Sequence, residues 1–169
     1  MLRISKKADY AVFLLGCIAR EGAYPGGPAE ESVISAQEIA RQAGLNKSVV
    51  ANLLKECTRQ GLLASTRGLK GGYRLVKHPS EVDLAEILHI VEGPFLLVDC
   101  LKPGPRAASG PGHGGDGRCS LTSFCPSKNP MQIVHERIAE LFASIRLDEL
   151  CGMAAATGEG SPVSAGADR

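Results

Sequence analysis

The sequence predicts a mainly α-helical fold with a small β-hairpin: a winged helix-turn-helix domain followed by a long C-terminal helix. Three observations predict it. Two short amphipathic segments meet at a tight turn with Gly44. A glycine-rich hairpin with cations at its tip follows the second segment directly. Near the C-terminal end, apolar residues recur at heptad-like spacing.

The elements follow in order. Ser5 is placed to cap a helix over 6–21, and Ala11, Leu14, Leu15, Ile18 and Ala19 recur at helical spacing. Gly22 to Pro28 breaks that pattern. Ser35 with Glu38 reads as a capping box opening a helix over 36–43, which Gly44 ends. Asn46 is placed to cap a helix over 47–60 with Val49, Val50, Leu53, Leu54 and Cys57 on its inner face. Strands are predicted over 62–66 and 73–76, joined by Arg67-Gly68-Leu69-Lys70-Gly71-Gly72. The glycines there permit positive φ and close approach of a ligand to the backbone. Asp83 with Glu86 reads as a second capping box, for a helix that Gly93-Pro94 ends near Glu92. Pro130 suits the first turn of a last helix reaching about Ile145. Val134, Ile138, Leu141 and Ile145 step by 4, 3 and 4 along it, flanked by Ile133 and Phe142. This seam makes it a candidate dimerisation helix, with packing on its own domain as the alternative.

Composition narrows the function classes. No apolar run approaches the ~20 residues of a membrane helix. Arg3, Lys6 and Lys7 precede an apolar stretch bracketed by Asp9 and Arg20, which suits an amphipathic helix better than a signal peptide. The expected location is the cytoplasm. There, six cysteines are expected as free thiols or metal ligands rather than disulfides. The net charge of +1 hides an asymmetry: residues 1–78 hold 12 Lys and Arg against 6 Asp and Glu. A basic front half suits a domain that meets phosphates. The chain has no Cys-x-x-Cys pair, nucleophile–base constellation or phosphate loop, so no enzyme is expected.

The expected organisation is a DNA-binding domain over 1–99, a cysteine-bearing sensor loop over 100–129, a dimerisation helix over 130–151 and a disordered tail over 152–169. Lys47, Ser48 and Asn52 fall on the outer face near the start of the second helix of the helix-turn-helix. There, side chains commonly meet base edges in the major groove. Asn can read adenine through two hydrogen bonds, and Lys can reach guanine. Lys55, Arg59, Arg67 and Lys70 are placed for phosphate.

The cysteines divide into two groups. Cys17 and Cys57 lie on apolar helix faces and are expected to pack as small hydrophobes, while Cys151 has no evident partner. Cys100, Cys119 and Cys125 sit in and around a Gly/Pro-rich stretch, spaced Cys-x18-Cys-x5-Cys. An iron–sulfur centre, a zinc ion and metal-free thiols are all open to such a set.

Several segments together resemble the IscR and NsrR family of bacterial winged-helix repressors. They are Arg3-Ile4-Ser5-Lys6, the wing from Ser65 to Leu75, Val91-Glu92-Gly93-Pro94, Asp99-Cys100, and Ile145-Arg146-Leu147-Asp148-Glu149-Leu150. The resemblance covers about residues 1–150. It implies a homodimer on double-stranded operator DNA, with an iron–sulfur cluster (4Fe-4S or 2Fe-2S) on Cys100, Cys119 and Cys125. The chain departs from the family in two places. The first cysteine gap holds roughly a dozen extra residues, yet loop closure costs only ~0.6 kcal/mol per doubling of length. Three residues after the last cysteine, where one branch of the family has a His ligand, stands Lys128. Asp9 matches the acidic ligand position of the nitric-oxide-sensing branch and is the leading fourth ligand. His113 and His135 are the alternatives. The expected function is a repressor whose DNA affinity follows redox state, nitric oxide or iron–sulfur status. The alternative is a cluster-free regulator sensing thiol oxidation, zinc or a metabolite.

Overall fold

The computed structural model describes residues 3–68, 70–98, 101 and 124–153. All but the first two residues of the expected tail and most of the cysteine-bearing segment, with Cys100, His113 and Cys119, lie outside the described residues.

Helix α1 (Lys6–Arg20) runs through the centre of the core. Ser5 caps it, accepting from the Ala8 N–H at 3.2 Å. Leu14, Leu15 and Ile18 are at most 1% exposed, each stabilising the fold by about 1.5–3 kcal/mol through burial. Helices α2 (Ala36–Ala43) and α3 (Lys47–Arg59) form the helix-turn-helix. Gly44 at φ 63 makes the turn in the left-handed region, where a side chain would be strained. Asn46 then caps α3, accepting from the Ser48 N–H at 2.8 Å.

The wing is an antiparallel pair, β1 (Leu63–Thr66) and β2 (Gly72–Leu75), with Leu63 opposite Leu75 and Thr66 opposite Gly72. A single bridge from Ile34 to Tyr73 ties the chain ahead of α2 to the hairpin. A 3₁₀ turn (Pro79–Glu81) leads to α4 (Leu84–Glu92), which packs on α1.

The capping expectations are half met. Ser35 and Asp83 accept from the N–H groups of Glu38 and Glu86. The two glutamates do not reach back to complete the box. Glu38 pairs with Arg41 and Glu86 with Lys77, since a cation within reach outcompetes a backbone amide for the carboxylate. The complete capping box is formed by His78 and Glu81.

The segment 130–151 holds two helices. Helix α5 (Lys128–Ser144) begins two residues before Pro130, whose missing N–H is one the first turn leaves unpaired anyway. Ile145 is extended, and a short α6 (Leu147–Leu150) follows. The break lets the chain rejoin the core. The Leu84 N–H donates to the Ile145 carbonyl at 2.9 Å, and the Leu147 N–H to the Val82 carbonyl at 2.8 Å. Arg146 pairs with Asp83 at 3.3 Å, and Leu147 is fully buried.

Candidate DNA interface and sensor segment

Helix α3 separates two chemistries. Val50, Leu53, Leu54 and Cys57 are buried against the core. Lys47, Ser48, Ala51, Asn52, Lys55 and Arg59 are exposed on the remaining surface. The first turn of α3 carries no acidic residue, so its positive end is unopposed. Arg59 is partly committed within the helix: it pairs with Glu56 at 2.5 Å and holds that carboxyl below its usual range.

Val49 departs from the sequence expectation. It is 41% exposed rather than inward-facing, because Val50 takes the core position. With Asn52, Leu53 and Glu56 it lines a groove of about 370 Å³ whose other wall is Lys7 and Tyr10 of α1.

Arg67 and Lys70 are exposed at the wing. Gly68 has φ 119, open only to glycine without strain. A Cβ on Gly71 would lie 2.3 Å from the Thr66 carbonyl oxygen, and one on Gly72 2.4 Å from that of Ile34. The close approaches these two glycines permit are therefore to the protein's own backbone, while Gly68 stands in open space. Leu69, between the cations, lies outside the described residues.

Of the expected metal ligands, two are described. Cys125 is half-buried, three residues ahead of α5, and Asp9 is exposed in the first turn of α1. Lys128 is the first residue of α5. Among the described residues, no three His, Cys, Asp or Glu side chains converge as metal donors. His135 stacks face to face on Phe95, with centroids 5.1 Å apart, and its Nδ1 is buried without a hydrogen-bond partner. Phe95 in turn meets Phe142 edge-on. This aromatic group joins α5 to the segment leading out of α4.

Cys17 and Cys57 are buried. Burial pushes the Cys57 thiol up to about 11, so it is inert near neutral pH. Cys151 has a packing place that the sequence did not suggest. It sits over Gly16, where an added Cβ would come within 2.8 Å of its sulfur, and partial burial raises its thiol as well.

Sequence reading also missed the fastening between α1 and α4. Ser5 Oγ donates to Glu92 Oε1, and Lys7 Nζ donates to the Val91 carbonyl at 2.5 Å. These partners lie more than eighty residues apart, beyond any local pattern.

A family model described as an iron-dependent transcriptional regulator, Rrf2, matches residues 4–152. The chain belongs to the Rrf2 family. That family is one of transcriptional regulators rather than of enzymes. It is 31% identical to Protein aau3 of Rhizobium meliloti over 61% of its length, and 32% identical to a putative rrf2-like regulator of Rhodobacter capsulatus over 59%. Those matches span 62% and 63% of the two relatives, so the chain covers less than two thirds of either. Regulator IscR of Photorhabdus laumondii is 27% identical over 88% of the chain and 79% of its own length. Among solved structures, T. potens IscR superposes with a TM-score of 0.61 at 24% identity, covering 94% of each chain. CymR of B. subtilis gives 0.61 at 21% identity, covering 92% of this chain and all of its own. These two likenesses show that the Rrf2 fold is shared. No helix among the described residues is long and apolar enough to cross a membrane.

Proposed function

We propose that this Rrf2 regulator is a dimeric repressor of double-stranded operator DNA, with an affinity set by an iron–sulfur cluster. The observation that carries the DNA half is the side chains on the outer surface of α3 and the wing. Lys47, Ser48, Asn52, Lys55, Arg59, Arg67 and Lys70 are all exposed there. Lys47, Ser48 and Asn52 address base edges, and the other cations address phosphates. Dimerisation is supported by α5, whose outer side leaves Ile133 59% and Leu141 56% exposed. Two copies packed through that face would set their recognition helices about one DNA turn apart, ~34–36 Å.

The cluster half is supported by the family model's description as iron-dependent and by the donor set. Cys100, Cys119 and Cys125 supply thiolates, the usual ligands of iron–sulfur centres, and Asp9 supplies the fourth donor. Lys128 offers no lone pair while protonated. A carboxylate is a harder ligand than thiolate, so iron held by Asp9 is the more open to small molecules. When bound, such a cluster reacts with oxygen or nitric oxide. The chain's own part would be to hold the group through these cysteines, which would tie the end of α4 to the start of α5 and fix how α5 leaves the domain. That angle sets the distance between the two recognition helices.

Protein purified without oxygen should be brown, with visible absorbance, about one cluster per chain and a matching EPR signal on reduction. Cys119→Ala should abolish iron retention. A colourless protein with stoichiometric zinc would remove the cluster from this reading. A second reading is favoured by Lys128 and by the fold shared with CymR, described as a global cysteine regulator. In it the same cysteines act as a metal-free thiol sensor.

A further inference from the structure

Helix α4 ends where the chain departs for the cysteine-bearing segment. Gly93, at φ 84, turns the backbone away, and its N–H closes the last helical bond to the His89 carbonyl at 2.9 Å. The carbonyls of a last helical turn have no partner within the helix and carry partial negative charge. One of them is taken by a side chain from a distant element: Lys7 Nζ donates to the Val91 carbonyl at 2.5 Å. Next to it, Ser5 Oγ donates to Glu92 while accepting the capping bond of α1. The first turn of α1 is thus fastened to the last turn of α4 at two adjacent points.

The same lysine faces the other way too. Lys7 and Tyr10 form one wall of the groove of about 370 Å³ whose other wall is Val49, Asn52, Leu53 and Glu56 of α3. Asn52 belongs at once to that wall and to the exposed surface of α3. The Lys7 charge acts on the Glu56 carboxylate, whose first partner is Arg59. One cationic side chain therefore touches the last turn of α4, ahead of the cysteine segment, and borders the recognition helix.

We propose that Lys7 is a positioning residue that couples the end of α4 to the seating of α3, so that the state of the cysteine segment and the grip on DNA reach each other through it. This rests on α3 being the DNA reader. Withdrawing the α4 terminus releases the ammonium group from Val91 and lets Lys7 shift in the groove it shares with Val49, Asn52 and Glu56 of α3. The coupling is reciprocal by thermodynamic necessity: if α4 biases α3, DNA held by α3 must steady α4.

The reciprocal direction needs no knowledge of the signal. Amide hydrogen exchange at Gly93 is measured with and without a saturating duplex that the protein itself has selected from a random pool. The duplex should slow this amide by about fivefold or more, the lower end of site–site coupling. The effect should vanish in Lys7→Met, which keeps the aliphatic stem, and return in Lys7→Arg. The salt slope of binding should be equal in wild type and Lys7→Met. Unchanged protection of Gly93 in Lys7→Met would overturn the proposal, as would its absence in wild type. A salt slope lower by about 1 in Lys7→Met would make Lys7 a phosphate contact instead. Wild-type protein that binds no duplex would overturn the DNA reading together with this one. Binding without protection of Gly93 would overturn this one alone.

Discussion

Helices α3 and α5 each bury one side and leave the other uncovered, and the two uncovered sides differ in chemistry. On α3 the exposed side chains are Lys47, Ser48, Asn52, Lys55 and Arg59. On α5 they include Ile133, Val134 and Leu141. The first set is content in water and has the chemistry to meet phosphates and base edges. The second is an apolar stripe of the kind a second copy of the chain covers. The seam foreseen on α5 is also divided. Ile138 and Ile145 lean on the protomer's own core and Phe142 is buried in it, while Val134 and Leu141 face outward.

The sharpest way to break this contrast is a charge on the apolar side. Leu141→Asp leaves the protomer's core untouched, yet places an unpaired carboxylate in the proposed contact between copies. Sedimentation should show a monomer, and operator affinity should fall by about 10²–10⁴-fold as linked binding of two half-sites is lost. A dimer of unchanged stability would move the interface elsewhere.

The buried side of α3 gives the next largest effect. Burial lifts the Cys57 thiol from 9.0 to about 11. Between those values the unfolded chain has lost a proton that the folded chain keeps, so stability falls as pH rises. The contribution is complete below pH 9 and lost by about pH 11, and two units amount to roughly 2–3 kcal/mol. Urea melts at pH 8 and 11 should show this loss in wild type and not in Cys57→Ala. Equal losses would mean that the thiol is solvated.

Within the exposed side of α3, Asn52→Ala should cost ~1–3 kcal/mol, confined to one base pair of each half-site. Binding assays on single-base operator variants would read this. On the wing, Arg67→Ala should weaken binding to all sequences alike and lower the salt slope by about 1. A loss tied to one base would make Arg67 a base reader.

The helical boundaries of the DNA-binding domain were legible because local signals set them. Ser5, Ser35, Asn46 and Asp83 cap helices where the sequence places them, and Gly44 ends α2. Misreadings came where a competing partner, near or far along the chain, decided. Val49 looked inward by spacing alone, but two adjacent valines cannot both face the core, and Val50 takes it. The break at Ile145, which returns the chain to the core, depends on Val82 and Leu84, some sixty residues earlier. Gly71 and Gly72 were recognised as close-approach positions, while the groups they approach, Thr66 and Ile34, could not be read from a motif. For the proposed sensor the residue types were legible, whereas whether the cysteines meet depends on chain path, and of the three Cys125 alone is described.

The central claim is that a cluster on those cysteines sets the hold of α3 and the wing on DNA. Its most direct test is a binding titration of the selected duplex with anaerobically purified protein, before and after a stoichiometric pulse of nitric oxide, followed by absorbance in the same cuvette. The account predicts that the visible band bleaches and that affinity changes by about tenfold or more in step with it, ~1.4 kcal/mol. Bleaching with unchanged affinity, or protein with no band that still binds and releases DNA on thiol oxidation, would contradict it.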